Sequence, residues 1–369
     1  MSRIEDRKYM AQAIQLAQRG LYTTDPNPRV GCVMVRDGQV VGEGWHARAG
    51  EAHAEVHALQ QAGELARGAT AYVTLEPCSH HGKTPPCSQA LIDAGVARVV
   101  AAMQDPNPQV AGTGLQQLQA AGIAVEVGLL QIEAEALNPG FNQRMRTGRP
   151  YVRSKLAMSL DGRTAMASGE SKWITGPAAR ADVQRLRARS SAILTGATTV
   201  LADDPSLNVR MEGFDDRDQP LRVILDPYLS TPTTARILSL PGRTIILTNS
   251  DEDGVIADLV KAGAEVVRLQ GQADAIDLQA VMAYLAELQV NEVLLETGAT
   301  LSGAMLKQGL VDEMVIYMAP HIMGNHARGL FNLPGLEEMS QRIDLDIMDI
   351  RAVGKDWRIS VKPKVAEGN

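Results

Sequence analysis

Hydrophobic and polar positions along the first half of the chain keep changing their period. Residues 1–20, MSRIEDRKYMAQAIQLAQRG, read as an amphipathic helix, and VGCVMVRDG (30–38) is a short apolar run closed by a glycine turn. Helical and strand-like runs then alternate through EVHALQQAGELA (55–66), AYVTLE (71–76), CSQALIDAG (87–95), ARVVAAM (97–103), LQQLQAAG (115–122) and AVEVGLL (124–130). Such alternation predicts a layered α/β sheet. Around GFNQRMRTGRPYV (140–152) the pattern pauses, with Gly148 and Pro150 as punctuation, which predicts two domains, 1–146 and 147–369. The second half starts again. Strands are expected at 152–160, 191–196, 221–226, 244–249, 264–269, 292–296, 313–320 and 358–363, and helices at 177–190, 254–263, 278–288 and 301–309. It is a second α/β unit with a complete set of elements.

Composition agrees with two cores. The chain has 369 residues, against roughly 150 for a typical domain. Its 4% aromatic content means that the cores are mainly aliphatic side chains and methionine. A net charge of −7 leaves no general basic field for a nucleic-acid backbone, so nucleic acid is not expected as a partner. No run approaches the roughly 20 apolar residues that span a membrane, and no partnership with a membrane is expected. Three cysteines, with no signal-peptide pattern at the start, favour ligand or buried-thiol roles in a reducing, cytoplasmic setting.

The cysteines change the picture most. In EPCSHHGKTPPC (76–87), Cys78 and Cys87 are nine positions apart, too far for a Cys-x-x-Cys clip. Upstream, HAEVHAL begins at His53 and opens a helix, so His53 and Glu55 emerge together in its first turn. His-x-Glu, then a gap, then Pro-Cys and a second Cys match the pattern of the zinc deaminases. The residue types suit that chemistry. One imidazole and two thiolates hold zinc with a fourth position for water, whose pKa falls toward roughly 7. A carboxylate beside it, not bound to the metal, can move the proton to the leaving amine. Taken singly, His53 could be a helix-terminal histidine, Glu55 an acid complementing the helix dipole, and the cysteines buried thiols; His57, His80 and His81 are alternative ligands.

TTDPNPRVGCVMVRDGQVVGEGWH (23–46), GEAHAEVHAL (50–59), VTLEPCSHHGKTPPC (73–87) and the segment 90–125 resemble the deaminase half of the bifunctional riboflavin-biosynthesis enzymes. That resemblance implies a cytidine-deaminase-like α/β/α sandwich, His53, Cys78 and Cys87 as the zinc ligands, and Glu55 as the proton shuttle. It also implies a phosphorylated pyrimidine substrate, with Asn27, His46 and Lys83 toward it. On the residues alone, Asn27 reads equally as a turn residue, His46 as a surface histidine and Lys83 as a solvated charge.

The second half lacks Gly-x-Gly-x-x-Gly, so an ordinary Rossmann site is not expected. Strand NEVLLE leads instead into TGATLSG and a helix, where Gly298 and Gly303 bracket a turn able to cradle a diphosphate. SKLAMSLDGRTA (154–165), SGESKWITG (168–176), the segment 185–210 and LETGATLSG (295–303) resemble the dihydrofolate-reductase-like reductase half of the same family. The resemblance implies NADPH as cofactor and places Ala157, Trp173, Thr199, Asp203, Gly298, Ala299, Thr300, Leu301, Ser302, Gly303 and Ala304 toward it. It places Ser171, Arg187, Leu207, Arg210 and Glu296 toward substrate, and pairing of copies through this half follows the family's habit. Arg187 and Arg210 suit a phosphate as bidentate donors. Glu296, at the end of a buried strand, needs a partner base or a ligand hydroxyl. Lys155 could protonate the ribose ring oxygen, or sit in a structural ion pair, and Asp161 reads as a turn residue.

Two rival readings stay open at this level. One is a zinc deaminase of another base or nucleotide with an appended nucleotide-binding domain. The other is a zinc-stabilised binding protein without turnover.

Overall fold

Backbone elements follow the alternation of apolar runs. In a computed structural model, which describes residues 3–79, 86–108, 110–269, 271–272 and 275–364, the chain forms two compact units, Met1–Arg149 and Pro150–Asn369.

The amino-terminal unit runs α1 (Arg3–Ala17), β1 (Gly31–Arg36), β2 (Gln39–Trp45), α2 (Ala54–Ala62), β3 (Thr70–Val73), α3 (Cys87–Asp93), β4 (Arg98–Ala101), α4 (Thr113–Ala120), β5 (Ala124–Val127), α5 (Gln131–Glu135) and α6 (Pro139–Thr147). Asp37 and Gly38, both at positive φ, make the tight turn between β1 and β2. The sheet order is β2-β1-β3-β4-β5, antiparallel at β2-β1-β3 and parallel from β3 to β5. Alternate residues of each strand point to opposite faces. On one face Val33, Val35, Tyr72 and Val100 pack with Met10, Ala13 and Ala17 of α1 and Phe141 of α6. On the other, Cys32, Met34, Ala71, Val73 and Val99 pack with Ala54 and Ala58 of α2, Leu91 of α3 and Leu115 and Leu118 of α4. The result is an α/β/α sandwich. Helix α6 occupies the segment where the sequence pattern pauses; Pro139 starts it and Gly148, in the left-handed region, stops it.

The carboxy-terminal unit runs β6 (Tyr151–Ser159), β7 (Arg163–Ala165), α7 (Pro177–Ala188), β8 (Ala192–Gly196), α8 (Ala197–Asp203), β9 (Leu221–Leu225), α9 (Arg236–Ser239), β10 (Thr244–Thr248), α10 (Asp253–Lys261), β11 (Glu265–Arg268), β12 (Gly271–Gln272), β13 (Ala275–Ile276), α11 (Leu278–Glu287), β14 (Glu292–Leu295), α12 (Ala299–Lys307), β15 (Glu313–Ala319), β16 (Arg328–Gly329), β17 (Leu345–Val353) and β18 (Asp356–Pro363). Nine strands form one sheet in the order β11-β10-β9-β8-β14-β6-β15-β18-β17. It is parallel from β11 to β15, and the β17–β18 hairpin adds an antiparallel edge. Helices α11 and α12 cover one face through Val281, Leu285, Met305 and Leu306, and α7, α8 and α10 cover the other through Val183, Leu186, Val200 and Leu259. β14 lies between β8 and β6, although it follows β11 in sequence. At such a switch the helices after neighbouring strands diverge and leave a crevice at the strands' carboxyl ends.

Candidate active sites

In the amino-terminal unit the metal-ligand candidates come from two separate elements. Gly42 and Gly44 let β2 lie backbone-to-backbone against α2, since a Cβ on Gly44 would stand 2.1 Å from the Ala54 carbonyl oxygen and one on Gly42 2.2 Å from that of Ala58. This contact fixes the start of α2, where His53 is the residue just before the first turn and Glu55 lies inside it. Cys78 follows the end of β3, and Cys87 is the first residue of α3. His53 Nδ1 lies 3.6 Å from Cys78 Sγ and 3.3 Å from Cys87 Sγ, and the three donor atoms all lie within 4.8 Å of one another. Tetrahedral zinc, with arms of about 2.3 Å to sulfur and about 2.0 Å to nitrogen, places neighbouring donors roughly 3.5 Å apart. The set fits zinc. Among the described residues it is also the one cluster of three metal-type side chains found. His80, His81 and Lys83 lie outside the described residues.

Electrostatics bind the cluster further. The Cys87 amide donates to Cys78 Sγ at 3.3 Å. Hydrogen bonds from Cys87 and His53 push the Cys78 thiol well below its ordinary value, and the Cys87 thiol beside it is correspondingly pushed up. The hydrogen bond to Cys78 raises His53 against the effect of burial. Glu55 is 3% exposed, and burial, with the charge of Cys78, lifts its carboxyl to about 7. His46 is buried rather than on the surface. Its Nδ1 contacts the Ala52 carbonyl at 3.2 Å, Asn27 Nδ2 lies 3.2 Å from its Nε2, and its ring meets the His53 ring edge-on at 5.2 Å. Burial holds its pKa below the ordinary histidine value. Those partners suit the tautomer with its proton on Nδ1, donated to the Ala52 carbonyl.

In the carboxy-terminal unit the charged groups gather where β6, β14 and α7 meet. Arg187 grips Glu296 in a fork, Nε to Oε1 at 2.6 Å and a terminal nitrogen to Oε2 at 2.9 Å, and also donates to the Asn208 carbonyl at 3.0 Å. Arg187, expected with Arg210 as a bidentate donor to phosphate, is buried and forked to the acid, because a carboxylate ending a buried strand draws the nearest fork-shaped base. Arg210 remains exposed, held by Asn208 Oδ1 at 2.9 Å. Burial alone would raise Glu296, but the charges of Arg187, Lys155 and Arg210 keep it below the usual carboxylate value. Burial lowers Lys155, and Glu296 opposes that. Leu207 is 3% exposed at φ 43°, a backbone region that costs an ordinary side chain about 1–2 kcal/mol.

Thr199 and Asp203 lie on α8, and Lys172 reaches across to Asp203 at 3.2 Å. The neighbouring Trp173 is 71% exposed, with the Arg180 guanidinium 4.7 Å from its ring centre. Ser171 shares this loop, and Ala157 lies on β6. Gly298 precedes α12 with open space where a Cβ would stand, and Ala299, Thr300, Leu301, Ser302 and Ala304 lie in the helix. Gly303 does not belong to the turn, as expected from sequence, but sits inside α12, where a Cβ would come within 2.1 Å of the Asn332 carbonyl. Ser302 Oγ, and Thr195 Oγ1 on β8, are buried with no hydrogen-bond partner among the described residues. The start of α12, where a helix's first amides lack partners within the helix, the open space at Gly298 and these two hydroxyls fit a diphosphate-bearing cofactor. Asp161 takes hydrogen bonds from Ser159 and from the Met323 and Gly324 amides, the structural part expected of it.

Comparison with known proteins decides what the two sites belong to. Residues 3–103 match the cytidine and deoxycytidylate deaminase zinc-binding region, and residues 150–359 match the RibD C-terminal domain. The riboflavin biosynthesis protein RibD of Escherichia coli strain K12 is 54% identical over 96% of this chain and 98% of its own length. The chain belongs to the RibD family. A solved RibD structure from Acinetobacter baumannii has a TM-score of 0.91 at 49% identity, covering 99% of this chain and 100% of its own. A Thermotoga maritima structure titled diaminohydroxyphosphoribosylaminopyrimidine deaminase/5-amino-6-(5-phosphoribosylamino)uracil reductase has a TM-score of 0.85 at 33% identity, covering 98% and 99%.

As a RibD protein the chain is a bifunctional enzyme of riboflavin biosynthesis, with a zinc deaminase of cytidine-deaminase-like fold followed by the RibD reductase domain, which uses NADPH. No helix among its described residues is long and apolar enough to cross a membrane. Two features of its sites escape sequence reading. The Arg187–Glu296 fork spans 109 positions, and the Asn27–His46–Ala52 chain joins the segment before β1 to the loop after β2.

Proposed function

We propose that the amino-terminal site hydrolyses the ring amine of a diamino-ribosylamino-pyrimidinone 5′-phosphate, and that the carboxy-terminal site then reduces the ribosyl group of the resulting aminouracil phosphate to ribityl. His53, Cys78 and Cys87 would hold zinc, which when bound supplies the Lewis acidity that makes a water acidic near neutrality. Glu55, buried beside the ligands with a carboxyl pKa near neutrality, holds and releases the proton that passes to the leaving amine. His46, fixed by the Ala52 carbonyl, holds Asn27 in place, and the Asn27 amide orients the substrate. Lys83 is assigned to the substrate phosphate on sequence grounds alone.

Gly298 to Ala304, Ala157, Trp173, Thr199 and Asp203 would hold NADPH, which when bound would supply the hydride. Arg210, exposed beside the Arg187–Glu296 fork, takes the phosphate; Ser171 and the strained Leu207 backbone lie toward the same substrate. Glu296, kept ionised by Arg187, meets a sugar hydroxyl. Lys155, with its charged form disfavoured by burial, gives a proton readily to the ribose ring oxygen as the ring opens. We assign the enzyme to the cytoplasm. Its copies pair through β17, an edge strand with no buried residue.

The observation that carries this reading is the coexistence, on one chain, of a His-Cys-Cys cluster with a buried acid and of a Lys-Glu-Arg cluster beside an open helix start. Substituting Glu55→Gln should reduce deamination by at least about a hundredfold, while reduction of supplied deaminated substrate stays within twofold of the parent. Equal loss of both activities in a folded, zinc-loaded variant would count against two separate sites.

A further inference from the structure

Glu76 stands two residues before Cys78 and is 3% exposed, yet no step described above uses it. Its carboxylate accepts backbone N–H groups from a distant segment. Oε2 takes Asp105 at 3.1 Å and Gly112 at 2.9 Å, and Oε1 takes Gly114 at 2.9 Å, with the Leu115 amide 3.4 Å away. Gly114 and Leu115 lie in the first turn of α4, where amides have no partner inside the helix and the helix dipole favours negative charge. The contact is close: a Cβ on Gly114 would stand 2.0 Å from the Pro77 carbonyl oxygen. Helix α4 thus leans on the Glu76-Pro77 peptide and meets the cysteine arm again one turn on. Ser88, beside Cys87, donates to the Cys78 carbonyl at 3.0 Å and lies 2.7 Å from the Gln117 side-chain oxygen, and the Ser88 amide donates to the same carbonyl at 3.1 Å.

We propose that Glu76 is a positioning residue of the metal centre, holding the Cys78 arm in ligand geometry by tying it to the start of α4. A buried carboxylate with three or four amide donors is far stiffer than a loop held by packing. Removing its charge leaves α4's first amides facing a neutral group, and a glutamine would turn an N–H₂ group toward two N–H donors. The Cys78 sulfur then samples positions away from His53 and Cys87, and the metal is held less tightly. Outer groups that orient metal ligands commonly change affinity by about ten- to a hundredfold.

The inference rests on reading His53, Cys78 and Cys87 as zinc ligands, and the test separates the two. Full-length protein, Glu76→Gln and Asp6→Asn would be loaded with zinc, and release to a chromogenic chelator followed. The same proteins would be loaded with cobalt and their absorption spectra taken, since those bands report thiolate count and tetrahedral geometry. Asp6→Asn loosens the same unit at α1, away from the cysteine arm. Expected is zinc release about ten- to a hundredfold faster and an altered cobalt spectrum for Glu76→Gln, with the parental spectrum kept in Asp6→Asn. Parental release and spectrum in Glu76→Gln, or the same spectral change in Asp6→Asn, would overturn the proposal. If the parent itself bound neither metal, the ligand reading would fall first. Should Glu76→Gln not accumulate as folded protein, Gln117→Ala probes the other end of the same tie; an unchanged release rate there would overturn it too.

Discussion

Asp6 accepts hydrogen bonds from both terminal nitrogens of Arg98, at 2.9 and 3.0 Å, and another from the Tyr72 hydroxyl, and these partners hold its carboxyl below the usual aspartate value. A carboxyl whose pKa is depressed on folding stabilises the fold above its unfolded pKa of about 4, and that contribution is lost as pH falls through the folded value. Asp6→Asn should therefore lower the stability of the amino-terminal unit by about 1–3 kcal/mol at neutral pH. The difference from the parent should shrink below about pH 4, as followed by acid and urea unfolding. A constant difference down to the most acid pH would contradict the ion-pair account. Residues differ in how openly a sequence declares them. His53, Cys78 and Cys87 are legible because histidine and cysteine are scarce and their order is informative. Glu76, Asp6 and the pairing of Arg187 with Glu296 are not, because acids and arginines are common and their partners lie tens to a hundred positions away.

At the scale of elements, the buried strands were readable as short apolar runs, and β1, β6, β8 and β14 fall where those runs predict them. Three elements give a weaker signal. Helix α8 follows β8 without a break, so its few residues look like a continuation of the strand, and α6 carries mixed polar residues with only Phe141 as a clear apolar anchor. The third, β17, shows no buried side; Ile347 is 63% exposed, Met348 59% and Ile350 51%. An exposed edge with unpaired backbone groups and apolar side chains is a place for another strand, and antiparallel pairing with a second copy satisfies both. Ile347→Lys together with Ile350→Lys should weaken self-association by at least about thirtyfold, moving the mass measured by light scattering from dimer to monomer at micromolar concentration. A parent that is monomeric under those conditions, or a variant as dimeric as the parent, would contradict pairing through β17.

Over the whole molecule, two α/β units each carry a cluster of charged or metal-type side chains, and the net charge of −7 leaves phosphate recognition to local groups, the part proposed for Arg210. The general class of both folds could be argued from periodicity, whereas the division of labour came from motif spacing and family resemblance. Only the folded structure brings Lys155 and Arg187 onto Glu296. On the proposed function, one chain performs hydrolysis and then reduction on one phosphorylated pyrimidine. The most direct measurement supplies the diamino-ribosylamino-pyrimidinone phosphate to zinc-loaded protein, first without NADPH and then with it, and follows product masses and NADPH absorbance together. The account expects the deaminated phosphate alone to accumulate at first, and NADPH oxidation to begin only with that product, converting it to the species with two added hydrogens. An amine left intact by the zinc-loaded protein, or NADPH consumed on the diamino compound before any deamination, would contradict it.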